Sequence, residues 1–177
     1  MINKLIYFIF FYILFLNNCY ANIIVVVNIE ELINSNNIYQ NILNEIENNQ
    51  KKYLEKFKIK EDQLDNLFQE IEDSKLILSE SELNKIIDEY NIKLNKFREL
   101  VNDFNLHYQN EIINIRKLVL QEIIVLLEKY ANDNNIDLIL DSTSYLIASN
   151  QINITSKIKK KLENIELKLD YNEFEKN

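Results

Sequence analysis

The chain has 177 residues, 28 acidic against 20 basic side chains, a formal net charge of −8 at pH 7, and neither glycine nor proline. One domain is expected at that length, and the acidic balance lacks the basic footprint of a nucleic-acid binder. Without glycine there can be no Gly-rich phosphate loop, nucleophile elbow or Gly-centred hairpin turn, and asparagine is left to supply any left-handed backbone position.

Residues 1–21 read as a cleavable export signal. Lys4 provides the positive start, 5–16 (LIYFIFFYILFL) is an unbroken apolar run, and Asn17 and Asn18 restore polarity before Cys19-Tyr20-Ala21. The run is shorter than the ~20 apolar residues a spanning helix needs. Cleavage is expected after Ala21, which would leave a mature chain without cysteine and so without disulfides, thiol catalysis or thiolate metal sites. The competing readings are an uncleaved anchor and a lipidated Cys19, the second opposed by Asn17 and Asn18 at positions that call for small apolar or hydroxyl side chains.

Residues 22–37 follow as a strand and a turn. The β-branched run at 23–27 (IIVVV) predicts a strand buried on both faces. From Ile38 the period changes, and 38–132 reads as a helical hairpin. Its first seam is Tyr53, Phe57, Lys60, Leu64, Leu67, Ile71, Ser74 and Leu78, a heptad register with two polar interruptions. The tip falls near 74–82, where Ser79 and Glu82 stand at capping-box spacing. The returning seam is Leu83, Ile87, Tyr90, Leu94, Phe97, Val101, Phe104 and Tyr108, and a short turn between two such stripes makes an antiparallel pair. From Ile112 to Leu127 the apolar residues no longer keep to one face, so the base of the hairpin, with Ile115, Val119, Ile123 and Leu126, is expected to be buried on all sides while the tip projects into water.

Residues 133–162 hold the remaining body. Asn134 or Asn135 is expected to end the long helix where glycine normally would, 136–141 (IDLILD) and 145–148 (YLIA) read as short strands, and Thr155 as the cap of a last helix. The tail, 163–177, is charged and is expected to fray.

This order resembles the Skp (OmpH-like) family of periplasmic chaperones over nearly the whole mature chain. The residues that carry the resemblance are IIVVVNIEELINSN at 23–36, the tip LILSESELNK, and the closing KYANDNNIDLILDSTSYLIASNQINITSKI. The resemblance implies a mainly α fold with a small β-body, in which a coiled-coil hairpin projects from a small sheet and three copies join as a jellyfish-like homotrimer. Ile24, Val26, Leu138, Leu140 and Leu146 would form the trimer and body core. It also implies an ATP-independent periplasmic holdase that encloses unfolded outer-membrane β-barrel proteins, with no cofactor and no nucleic-acid partner. The family's basic tips are not matched, since only Lys75 and Lys85 stand among Asp73, Glu80, Glu82 and Asp88, so contact with lipopolysaccharide or anionic membrane does not carry over.

Tyr53, Phe57, Tyr90, Phe97, Phe104 and Tyr108 have two readings: they close the seam inside the hairpin, which spacing alone favours, or they line a client cavity. His107, the one histidine, lacks the neighbours a catalytic or metal role needs. Glu30-Glu31 and the Asp137/Asp141 pair read as caps and solvated strand ends, and Asn153-Ile154-Thr155 as a helix start more than a glycosylation sequon. No residue is expected to act as nucleophile, acid or ligand. The alternative function is a structural coiled-coil scaffold or spacer held to the membrane by an uncleaved residue 1–21 segment.

Overall fold

The computed structural model describes residues 22–175. The expected export signal at 1–21 lies outside the described residues. The fold is mainly helical with one small sheet. Strand β1 (Ile24–Val27) leads into helix α1 (Ile29–Asn34), then the outgoing long helix α2 (Asn37–Ser74) and the returning helix α3 (Glu80–Asp133). Strand β2 (Leu138–Asp141), a single 3-10 turn (Ser142–Ser144) and helix α4 (Thr155–Leu162) complete the body.

The β-branched side chains of β1 favour the extended chain, and β1 pairs with β2 in parallel, Ile24 opposite Leu138 and Val27 opposite Asp141. The other edge of β1 is used as well. The Val26 N–H donates to the Ile152 carbonyl and the Ile154 N–H to the Val26 carbonyl, both at 2.9 Å, so β1 is central and its three valines are buried. The parallel pairing needs a long crossover, and the hairpin of α2 and α3 is that crossover.

Each helix start has a local cause. The side chains of Asn28 and Asn36 accept from the Glu31 and Tyr39 amides at 3.0 and 2.9 Å, which satisfies donors the first turn cannot. At the tip, the Glu82 carboxylate accepts from the Ser79 backbone N–H at 3.1 Å and from its hydroxyl at 2.5 Å. These bonds, the hydroxyl's first, hold Glu82 below the usual carboxylate range. At the far end of α3, Asn135 takes φ 52°, the left-handed position anticipated for asparagine in a chain without glycine. The α4 start differs from expectation. Thr155 is the first helical residue, its hydroxyl accepts from the Asn28 N–H at 2.9 Å, and Asn153 supplies the local oxygen for the Thr155 N–H at 2.9 Å.

Two further sequence expectations are corrected. Residues 145–148 form no strand: a 3-10 turn capped by Asp141 precedes them, and Leu146 and Ile147 stand in water, fully exposed in the first case. A strand there needs an edge to pair with, and the single chain places none beside it. The described part of the tail, 163–175, does not fray. Residues 163–165 turn off the end of α4, and 166–175 run back along the hairpin, where Leu167 and Phe174 are buried.

The base of the hairpin is apolar all round, but one chain covers only one side of it. Ile115, Val119, Ile123 and Leu127 are buried, at i, i+4, i+8 and i+12, whereas Ile113, Leu118, Ile124 and Val125 are exposed. Leu126 is partly buried at the core margin.

Candidate binding site on the hairpin

The spacing of Tyr53 and Phe57 puts both rings on one face of α2. The spacing of Phe97, Phe104 and Tyr108 does the same on α3. Antiparallel packing brings the two faces together. Phe104 is the centre, 5.4 Å from the Tyr53 ring, 5.0 Å from Phe57 and 5.1 Å from Tyr108 by centroid. Phe57 also meets Phe97 edge-on at 6.0 Å. These are the tilted and edge-to-face arrangements that aromatic quadrupoles favour. Tyr90 stands apart, nearer the tip, where it packs on the half-exposed Phe68 at 5.9 Å. The structure thus unites five of the six aromatic residues singled out in the sequence and leaves the sixth in a separate pair.

Phe104 and Tyr108 are completely enclosed and Phe57 nearly so, whereas Tyr53 and Phe97 are half-buried. The cluster is therefore a closed seam along its inner edge, with two half-buried rings along its outer edge. A residue absent from the sequence argument completes it: Phe174 of the tail lies 5.5 Å from Tyr53, 5.4 Å from Phe104 and 5.5 Å from His107. Four polar contacts hold the tail beside the rings. The Tyr53 hydroxyl donates to the Phe174 carbonyl, and the Phe174 N–H donates to the Tyr108 hydroxyl at 3.3 Å. The His107 Nε2 meets the Asn172 carbonyl at 2.7 Å, and the Asn172 N–H donates to the Glu111 carboxylate at 3.1 Å. Burial pushes the Tyr108 phenol above its ordinary range, against the opposing bond from Phe174.

The tail is seated on the hairpin from Ile165 to Phe174. Ile165, Leu167, Leu169, Tyr171 and Phe174 turn inward, while Glu166, Lys168, Asp170 and Glu173 are exposed. It begins in a groove shared by Leu126, Tyr130 and Ile165 and ends at Phe104. The 22 residues of α3 between Leu126 and Phe104 span about 33 Å at 1.5 Å each, and the nine steps from Ile165 to Phe174 reach about 30–32 Å when fully extended. The segment is thus close to its maximum length.

The body residues divide differently. Val26 is buried and Leu140 half-buried, whereas Ile24, Leu138 and Leu146 face water in the single chain. Glu30 reaches from α1 to Arg116 on α3, one guanidinium nitrogen lying at 3.2 Å, and this bond holds Glu30 below its ordinary range. Asp137 accepts from the Ile23 N–H at 2.7 Å, and Asp141 from the Ile29 N–H at 3.0 Å. These carboxylates close strand ends and helix starts. Among the described residues no group of three or more His, Cys, Asp or Glu is placed to hold a metal ion, and no helix is long and apolar enough to cross a membrane.

Against known proteins, the model of the outer membrane protein (OmpH-like) family matches residues 23–162, well over half of the chain. The chain belongs to the OmpH-like family. Among solved structures, this OmpH-like chain is similar to a protein from Caulobacter crescentus assigned as an OmpH-like outer membrane chaperone. The TM-score is 0.65 and the identity 14%, with 87% of this chain and 92% of that one covered. At that identity the likeness establishes the fold alone. No curated protein matches the sequence. The matched region stops at the end of α4, so the tail, with Phe174, falls outside what the family model describes.

Proposed function

We propose that the protein is an ATP-independent periplasmic holdase, a homotrimer whose hairpins enclose unfolded outer-membrane β-barrel proteins and keep them from aggregating. Membership of the OmpH-like family supports a chaperone role. The observation that carries the assembly is the apolar surface one chain leaves bare: Ile24, Leu138, Leu146 and Ile147 on the body, and Ile113, Leu118, Ile124 and Val125 at the hairpin base. A two-stranded sheet is marginal by itself, and apolar surface grouped in this way marks an interface. Closure through the bodies would leave the α3 helices, about 80 Å long at 1.5 Å per residue, standing around a central space.

A client held in that space would be bound by many weak apolar and polar contacts instead of one geometry. Hairpins tied only at one end suit clients of different size, because they can spread at little cost. Export through the 1–21 segment and its removal after Ala21 are part of the same reading.

Light scattering on the mature chain is expected to give three copies, and a stable monomer overturns the assembly. Val125→Glu, on the bare face of the base, is expected to give the monomer without loss of helix. For the activity, an outer-membrane barrel diluted from urea should stay soluble at near-stoichiometric trimer. Equal aggregation with and without the protein overturns the holdase and leaves a structural coiled coil.

A further inference from the structure

The tail carries a pattern that nothing in the hairpin requires. Its apolar residues Ile165, Leu167, Leu169 and Tyr171 recur at every second position, with Glu166, Lys168 and Asp170 between them. That is the period of a strand, and of the apolar-out, polar-in strands of membrane β-barrels in particular. Yet it adds to no sheet: it lies on helices.

The contacts made by its last residues are of an unusual kind. All four polar contacts at Asn172 and Phe174 are to backbone N–H and carbonyl groups, and their partners are the side chains of Tyr53, Tyr108, His107 and Glu111. A backbone group is present whatever the side chain, so this part of the site selects for extended chain and not for sequence. At this end of the tail a particular side chain is called for in the aromatic box that Tyr53, Phe104 and His107 form around Phe174. Alternating apolar residues, a free backbone and one aromatic describe an unfolded β-strand. The groove thus suits a segment of that chemistry, and the chain's own tail fills it.

We propose that the groove from Leu126 and Tyr130 to the Tyr53–Phe104–Tyr108 box is a binding site for extended, alternately apolar peptide segments, and that residues 165–175 are its resident occupant, displaced when a client strand binds. The proposal rests on the holdase reading for the identity of the natural ligand, but the site can be tested without it. A tethered tail competes at the high effective concentration of an intramolecular ligand, so free segments bind only through the open fraction. Any weakening of the tail raises that fraction.

The probe is a labelled peptide of residues 165–175 added to the full mature chain. Wild type should bind it weakly. Phe174→Ala, which empties the box, should bind it about tenfold more tightly if the tail is closed about nine-tenths of the time. Asn172→Pro should act in the same direction. It removes the N–H that Glu111 accepts, on an exposed residue outside the core, and so covers the case in which Phe174→Ala perturbs folding. A peptide with residues 167–168 and 169–170 exchanged in pairs, which breaks the alternation at equal composition, should lose most of the affinity. Equal affinity of wild type and both variants overturns the proposal, as does equal binding of the two peptides. The barrel-solubility assay separates the two readings. A chain that protects the barrel while both tail variants bind peptide like wild type retains the holdase and loses the tail site. A chain that gains peptide affinity in the variants but protects no barrel keeps the site and loses the holdase.

Discussion

Truncation of Phe104 to alanine tests the seam at its centre. Phe104 is 2% exposed and has four ring neighbours, Tyr53, Phe57, Tyr108 and Phe174, with centroids between 5.0 and 5.4 Å away. Burying a phenylalanine contributes roughly 1.5–3 kcal/mol, and each ring pair adds about 0.5–1.5 kcal/mol beyond area. Rings held by two long helices cannot collapse far into the space left, so the cost should fall near the middle of the ~3–5 kcal/mol range for Phe→Ala. Phe68→Ala is the internal control: its ring is 43% exposed and, among the described rings, meets only Tyr90, and it should cost about 1 kcal/mol or less. Urea unfolding followed by far-ultraviolet circular dichroism measures both, at one protein concentration because an assembling chain has concentration-dependent stability. A Phe104→Ala cost no larger than that of Phe68→Ala would refute the seam as the element that joins the helices. Combined with Phe174→Ala, Phe104→Ala should be non-additive by about 1 kcal/mol, since the two rings are in contact.

Three further outcomes follow from local geometry. Asn135, at φ 52°, should accept glycine at no cost or with a small gain, whereas Asn135→Ala should lose about 1 kcal/mol from the left-handed backbone; thermal melts of the two variants decide it, and equal values sink the reasoning. Ser79→Ala removes the N-cap side chain at the tip and should cost about 1 kcal/mol, seen as faster hydrogen exchange confined to the first turn of α3; unchanged exchange there counts against the cap. Burial works to raise Asp141, but donors from Thr143, Ile29 and Ser142 outweigh it and the carboxyl is held below its ordinary value. A depressed carboxyl gives stability that is present above the unfolded value, about 3.9, and is lost as pH falls through the lower folded value. The stability gap between wild type and Asp141→Asn should therefore be constant from pH 7 to pH 5 and narrow below pH 4, and a constant gap down to pH 2.5 would remove Asp141 from the acid response.

The hairpin was legible because a heptad stripe needs only one neighbour, and the chain itself supplies that neighbour within a short turn. The ends were legible for the same local reason: Glu82 at capping distance from Ser79, and asparagine where glycine was lacking. What could not be read are the features whose partner lies far along the sequence or in another chain. The YLIA segment has strand composition, but a strand exists only with an edge beside it, and here Leu146 and Ile147 face water. Ile136 and Asp137 fall outside β2 because the pairing begins at Leu138 opposite Ile24. Local spacing puts Thr155 at the cap, whereas its hydroxyl accepts from the Asn28 N–H, 127 residues away. The tail shows the strongest contrast. Its charges suggested solvent, but its period-two pattern was present throughout, at Ile165, Leu167, Leu169 and Tyr171. Only the folded hairpin, from the groove at Leu126 and Tyr130 to the rings of Tyr53 and Phe104, gives that pattern something to lie on. In the candidate site the rings were therefore visible from spacing, while the polar partners of the tail backbone, His107 and Glu111, carried no local signal.

The arrangement of the bare residues at the hairpin base bears on what kind of assembly can form. At about 100° per residue, taking Ile113 as zero, the buried residues Ile115, Val119, Ile123 and Leu127 lie between about 200° and 320° around α3. The exposed Ile113 and Ile124 lie near 0–20°, and Leu118 and Val125 near 120–140°, so the bare side holds two apolar stripes roughly 120° apart. A two-fold dimer needs one self-complementary patch, whereas a ring needs two different patches, one facing each neighbour. Two separated stripes flanking a third that is already covered fit the second case. The open body residues Ile24, Leu138 and Leu146 would then be buried by the same closure. In the proposed trimer the buried stripe would stabilise the hairpin, and the other two would each meet a neighbouring copy.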